Sequence, residues 1–100
     1  MMVAPADVDN RDTLPAEAAC FGPMPLGMMP FPTTVVASTN DPYVVIQRAQ
    51  VFATAWGADF HNLGEMGHIN GDSHLDTWNT GWDLLQEIRE AASPLTALKA

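Results

Sequence analysis

Thr33-Thr34-Val35-Val36-Ala37-Ser38-Thr39-Asn40-Asp41-Pro42-Tyr43 is the stretch from which the rest of the chain is read. Its first half, Thr33 to Ser38, is a short β-branched apolar run that suits a strand buried in a parallel sheet better than a helix. The run ends at Ser38-Thr39-Asn40-Asp41-Pro42, a cluster of turn formers. A helical period begins directly afterwards. Asp41 therefore falls at the carboxyl end of a strand, in the loop before a helix. Open α/β sheets gather ligands and catalytic groups at that position.

Toward the C-terminus, Val45, Ala49, Phe52 and Trp56 form one apolar stripe at helical spacing, which predicts a helix over Tyr43 to Trp56. Pro42 suits its first turn and Gly57 the position just past its end. Ala58 to Leu63 reads as a third strand nearer the sheet edge. The stretch Gly64-Glu65-Met66-Gly67-His68-Ile69-Asn70-Gly71 carries three glycines and reads as a tightly turning loop. Asp72 to Asn79 is polar, with Leu75 and Trp78 embedded. Gly81 to Ala92 is the last predicted helix, with Leu85, Ile88 and Ala92 on one face and Trp82 near its start. Ser93-Pro94 ends it, and residues 93–100 are expected to be a frayed tail.

Toward the N-terminus, residues 6–32 are irregular. Pro15, Pro23, Pro25, Pro30 and Pro32 remove backbone donors and fix φ, and Leu14 to Ala19 leaves room for a helical turn or two. Phe21, Met24, Leu26, Met28, Met29 and Phe31 are too many apolar residues for a loose linker. The loop is expected to pack over the domain, as a functional cover or as plain packing. Met1 to Pro5 reads as the end of a strand closed by Pro5. A strand at an initiator methionine looks like an element cut open. Strands alternating with helices give an α/β fold with a parallel sheet of about three strands.

Composition narrows the function. One hundred residues make one domain or less, with 47% apolar and only 16% charged residues. So little charge predicts that part of the surface is covered by other protein. Four basic against twelve acidic residues, net −8, argue against nucleic acid and anionic membrane as partners. The one cysteine, Cys20, fits a small, partly buried apolar residue in a reducing compartment. The N-terminus lacks the pattern of a secretory signal, and no apolar run approaches the length of a membrane span. The expectation is a soluble cytoplasmic protein.

Asp41 and His68 are the pair that could do chemistry. Each follows a predicted strand, and neighbouring parallel strands bring their carboxyl ends together. An aspartate beside an imidazole holds one tautomer and stabilises the charged form, which suits the histidine to general-base work. The plain alternative is a loop carboxylate and a surface histidine. No nucleophile is convincing. Ser38, Ser73 and Ser93 stand in no Gly-x-Ser-x-Gly turn, and Cys20 has no visible activation. Ser38 reads as a turn former bonded to backbone. His61, His68 and His74, with Asp72 and Asp76 nearby, have metal-ligand chemistry but no regular ligand spacing, so no metal or other cofactor is predicted. Trp56, Trp78 and Trp82 read as core or interface anchors.

The motifs Val35-Val36-Ala37-Ser38-Thr39-Asn40-Asp41-Pro42-Tyr43, Ala53-Thr54-Ala55-Trp56-Gly57-Ala58 and Gly64-Glu65-Met66-Gly67-His68-Ile69-Asn70 resemble a known family in their order. So do Val3-Ala4-Pro5-Ala6-Asp7-Val8, the proline-rich loop, and Trp78 and Gly81. The family is the small α/β-hydrolase-fold serine hydrolases related to retinoblastoma-binding protein nine. The resemblance runs to about residue 90. It implies that residues 1–100 are the C-terminal portion of one α/β-hydrolase domain, a three-layer α/β fold. It implies that Asp41 is the triad acid and His68 the triad base, in the hydrolase order of serine, acid, histidine. The family's nucleophile and oxyanion-hole loop would lie upstream of Met1. Gly71 to Thr77 departs from the family's more glycine-rich loop, and no role carries onto it.

Three readings follow. The first is a serine hydrolase of carboxylesterase type, acting on small acyl esters or amides, with this chain supplying the acid and base and inactive alone. The second is a catalytically inactive truncated hydrolase serving as a protein-binding module, its exposed sheet edge covered by a partner or by self-association. The third is a histidine-based metal-binding protein.

Overall fold

The computed structural model describes residues 1–92 apart from Arg11 and Thr13. Among the described residues three parallel strands form one sheet in the order β1-β2-β3: β1 is Met2–Val3, β2 is Thr34–Ala37 and β3 is Asp59–Asn62. Met2 pairs with Val35, and Ala37 pairs with Asn62. β2 lies between two strands and is buried along its whole length, so its continuous apolar run needs no polar face. Among the described residues β1 pairs only with β2.

Helix α1 (Ile46–Trp56) lies on the face of the sheet that carries Met2, Val35, Ala37 and Phe60. Ala49, Phe52, Ala53 and Trp56 close the core there, and the Phe52 and Trp56 rings stack 5.3 Å apart. Gly57 ends the helix in the left-handed conformation at φ 68°, and its N–H bonds back to Ala53 and Thr54 carbonyls. Val36 and Thr34 point to the opposite face. There the end of helix α2 (Asn79–Ala91), with Glu87, Ile88 and Ala91, borders a small cavity with Thr34 and Asp59.

Both helices differ from their predicted boundaries. α1 begins at Ile46, not Tyr43, and Pro42 lies in a turn ahead of it. The Asp41 carboxylate accepts the Tyr43 N–H at 2.8 Å, and the Tyr43 carbonyl accepts the Asp7 N–H at 2.9 Å. These bonds hold residues 41–43 as a turn and occupy the carbonyl that a helix from Tyr43 would need. Val45 consequently sits at the helix entrance, exposed, and Ala53 takes the place on the stripe that Val45 was expected to hold. In α2 the covered positions are Gly81, Leu84, Leu85, Gln86 and Ile88, whereas Ala92 is exposed. The Trp78 indole lies directly on Gly81, where any side chain would collide with it. Trp82 is exposed.

The proline-rich loop holds one 3₁₀ segment, Ala16–Phe21. It is tied down at two points. Trp56 Nε1 donates to the Pro25 carbonyl, and Met29 N–H donates to the Trp56 carbonyl at 3.0 Å. Met24 and Met29 pack against the core, while Phe21, Met28 and Phe31 remain exposed, so only part of the loop packs as expected. Arg48 joins the loop after β1 to α1. Its guanidinium reaches Asp7 at 3.3 Å and Asp9 at 3.0 Å and lies over the Phe52 ring. The expected tail at 93–100 lies outside the described residues.

Candidate active site

The site is built where β2 and β3 end. Past the strands the two chains stay joined rung by rung. Leu63 N–H donates to the Ala37 carbonyl, and Thr39 N–H to the Gly64 carbonyl, each at 2.9 Å. Side chains then replace the backbone as acceptors. Met66 N–H donates to Ser38 Oγ at 2.9 Å, and Gly67 N–H to Asn40 Oδ1 at 2.7 Å. The next rung is Asp41 with His68. His68 Nδ1 lies 2.9 Å from Asp41 Oδ2 and 3.1 Å from Oδ1.

The environments of these two residues differ. The Asp41 side chain is fully buried, and that of His68 is 28% exposed. A buried carboxylate needs donors, and Asp41 has the His68 ring and the Tyr43 N–H. An Nδ1–H bonded to this carboxylate leaves Nε2 as the nitrogen free to take a proton. The Tyr43 ring meets the imidazole edge to face, 4.7 Å between centroids. His68 and Tyr43 border an open cleft of about 460 Å³ with Asn40, Met66, Asn70 and Ser73.

The loop carrying His68 needs unusual backbone. Gly67 has φ 62°, a region that favours glycine, and Ile69 has φ 52°, which a β-branched residue rarely adopts. The strain at Ile69 sits beside the imidazole and is held by bonds on both sides. Asn70 accepts the Asp72 N–H, and Ser73 Oγ accepts the Asn70 N–H and donates to the Met66 carbonyl at 2.7 Å.

The structure brings Asp41 and His68 together. Ser38 is almost wholly buried, and its hydroxyl donates to Asn40 Oδ1, which accords with the reading as a turn former. Ser73 is committed to the loop that it braces. Among the described residues no three His, Cys, Asp or Glu side chains converge, so His61, His68 and His74 form no ligand cluster. Cys20 is exposed in the proline-rich loop and not partly buried as expected, its Sγ lying 3.1 Å from the Glu17 carbonyl within the 3₁₀ segment. No described helix is long and apolar enough to cross a membrane. Asn40 was not singled out by the sequence. Its only signal was its place in the turn one residue before Asp41.

A parallel α/β sheet with a buried carboxylate joined to an imidazole at its carboxyl end is an arrangement shared by hydrolases of the α/β class. Comparison with known proteins gives the family. The family model described as serine hydrolase matches residues 1–87, and the chain belongs to that family. A crystal structure described as a YdeN-like hydrolase from Pectobacterium atrosepticum is similar, with 33% identity and a TM-score of 0.75. The match covers 92% of this chain and 46% of that one, so this chain spans about half of its neighbour's length. No curated protein matches the chain.

Proposed function

We propose that this chain supplies the acid and base of a serine hydrolase that cleaves small acyl esters or amides. Asp41 orients His68 through Nδ1, and His68 Nε2 takes the proton of a serine that attacks the carbonyl. The observation that carries this reading is the 2.9 Å bond from a fully buried Asp41 to His68 at the rim of an open cleft. In this reading residues 1–92 are the later part of one α/β-hydrolase domain, related to the small hydrolases of the retinoblastoma-binding protein nine type. The serine and the oxyanion donors come from a segment outside these residues. The substrate is a small molecule held in the cleft beside Tyr43 and Asn70.

The test is hydrolysis of a series of p-nitrophenyl esters of increasing acyl length. The protein is purified from its native source and compared with its His68→Ala form. Turnover of short esters that falls by several powers of ten in the variant supports the reading. Equal turnover in the two forms refutes it.

A second reading has its own observation. β1 offers an unpaired edge among the described residues, and Phe21 and Met28 are more than 70% exposed. Such surface suits a binding module that associates with a protein partner or with itself. Under this reading the chain binds without catalysing.

A further inference from the structure

We infer that Asn40 and Ser38 are positioning residues for His68, acting through the backbone of the two residues before it. Asn40 Oδ1 accepts two hydrogen bonds, from Gly67 N–H at 2.7 Å and from the Ser38 hydroxyl at 2.9 Å. Ser38 Oγ in turn accepts the Met66 N–H at 2.9 Å. The two side chains thus close a bonded ring on the Met66–Gly67 peptide. Two consequences follow. The amide of Asn40 has one orientation, because the Gly67 N–H can only donate and so demands its oxygen. The His68 loop is also fixed one residue ahead of the imidazole, so the ring reaches Asp41 without a search over loop conformations. Gly67, at φ 62°, has the backbone freedom that this attachment needs. Preorganisation of this kind matters because a misplacement of about 1 Å can cost a hundredfold in rate. The catalytic consequence rests on the reading of His68 as the base, whereas the attachment is measurable without any turnover of substrate.

The experiment uses nitrogen-15 NMR of the whole protein that carries this chain, labelled and purified at its native length. It follows exchange of the Gly67 amide proton and of the His68 Nδ1 proton, with thermal melting alongside. Asn40→Ala is expected to speed both exchanges about tenfold, the loss of one hydrogen bond, while the midpoint of melting moves little. Asn40→Asp, which keeps an acceptor at the same reach, is expected to restore both. Faster exchange at Gly67 with an unchanged His68 proton overturns the inference, because the latch would then be structural only. Should Asn40→Ala unfold, Asn40→Asp and Asn40→Gln carry the comparison, since the acceptor of Gln is displaced by one methylene. Equal His68 exchange in those two also overturns it. None of these outcomes bears on hydrolysis, so the proposed function stands or falls separately.

Discussion

Asn40 and Gly67 are joined at 2.7 Å one residue ahead of Asp41 and His68, which are joined at 2.9 Å. The two bonds are consecutive rungs of a single ladder. It starts as the β2–β3 pairing and continues past the strands through side chains. The carboxylate and the imidazole therefore meet through the register of the sheet, carried two residues further by Ser38 and Asn40. This gives the Asp41–His68 pair a rigid base in an otherwise irregular region.

Asp41→Asn keeps the shape of the turn but replaces a charged acceptor with an amide, which favours the wrong tautomer of His68. In the catalytic protein the expected loss is about four powers of ten in kcat, the size seen when a triad aspartate is replaced by asparagine. The variant should stay folded. Ester hydrolysis and thermal melting, measured together, check both parts.

Phe52→Ala removes a ring that is fully buried and stacked on Trp56. The expected cost is about 3–5 kcal/mol. Folded domains have only about 5–15 kcal/mol in total, so this variant should lose a large share of its stability. Urea unfolding followed by tryptophan fluorescence reads the shift.

Trp56→Phe leaves most of the packing in place and deletes the indole N–H that bonds the Pro25 carbonyl. The expected global cost is about 1 kcal/mol, with the effect concentrated in the loop. Limited proteolysis should cut faster between Gly22 and Pro32 than in the parent chain, while the helices stay protected.

Gly57→Ala places a side chain at φ 68°, against Met28. Left-handed backbone costs a residue with a Cβ about 1–2 kcal/mol, and Met28 has exposed space into which it can move. The expected fall in stability is of that size. A chemical denaturation curve with an unchanged slope would establish it.

The sheet and the candidate pair were legible because each rests on a local signal. Val35-Val36-Ala37 announces a buried strand, and Asp41 and His68 each follow a strand whose neighbour can be inferred. The start of α1 was not legible. It depends on Asp7, which takes the Tyr43 carbonyl from a distant part of the chain. Of the predicted face of α2, Leu85 and Ile88 are half-buried, and only Ala92 departs from it, because the helix ends at Ala91. Asn40 looked like any turn former. Its partner, Gly67, lies 27 positions away, and only the fold brings them together.

The most direct test of the central claim is intact-mass spectrometry of the protein, purified from its native source through a C-terminal tag. Spectra would be taken with and without a fluorophosphonate probe. The account predicts a species that carries one probe adduct on a serine that is not among residues 1–100, and loss of that adduct in the His68→Ala form. A species near 10.8 kDa that takes up no probe would contradict it. The function of the Asp41–His68 pair would then have to be sought in binding rather than catalysis.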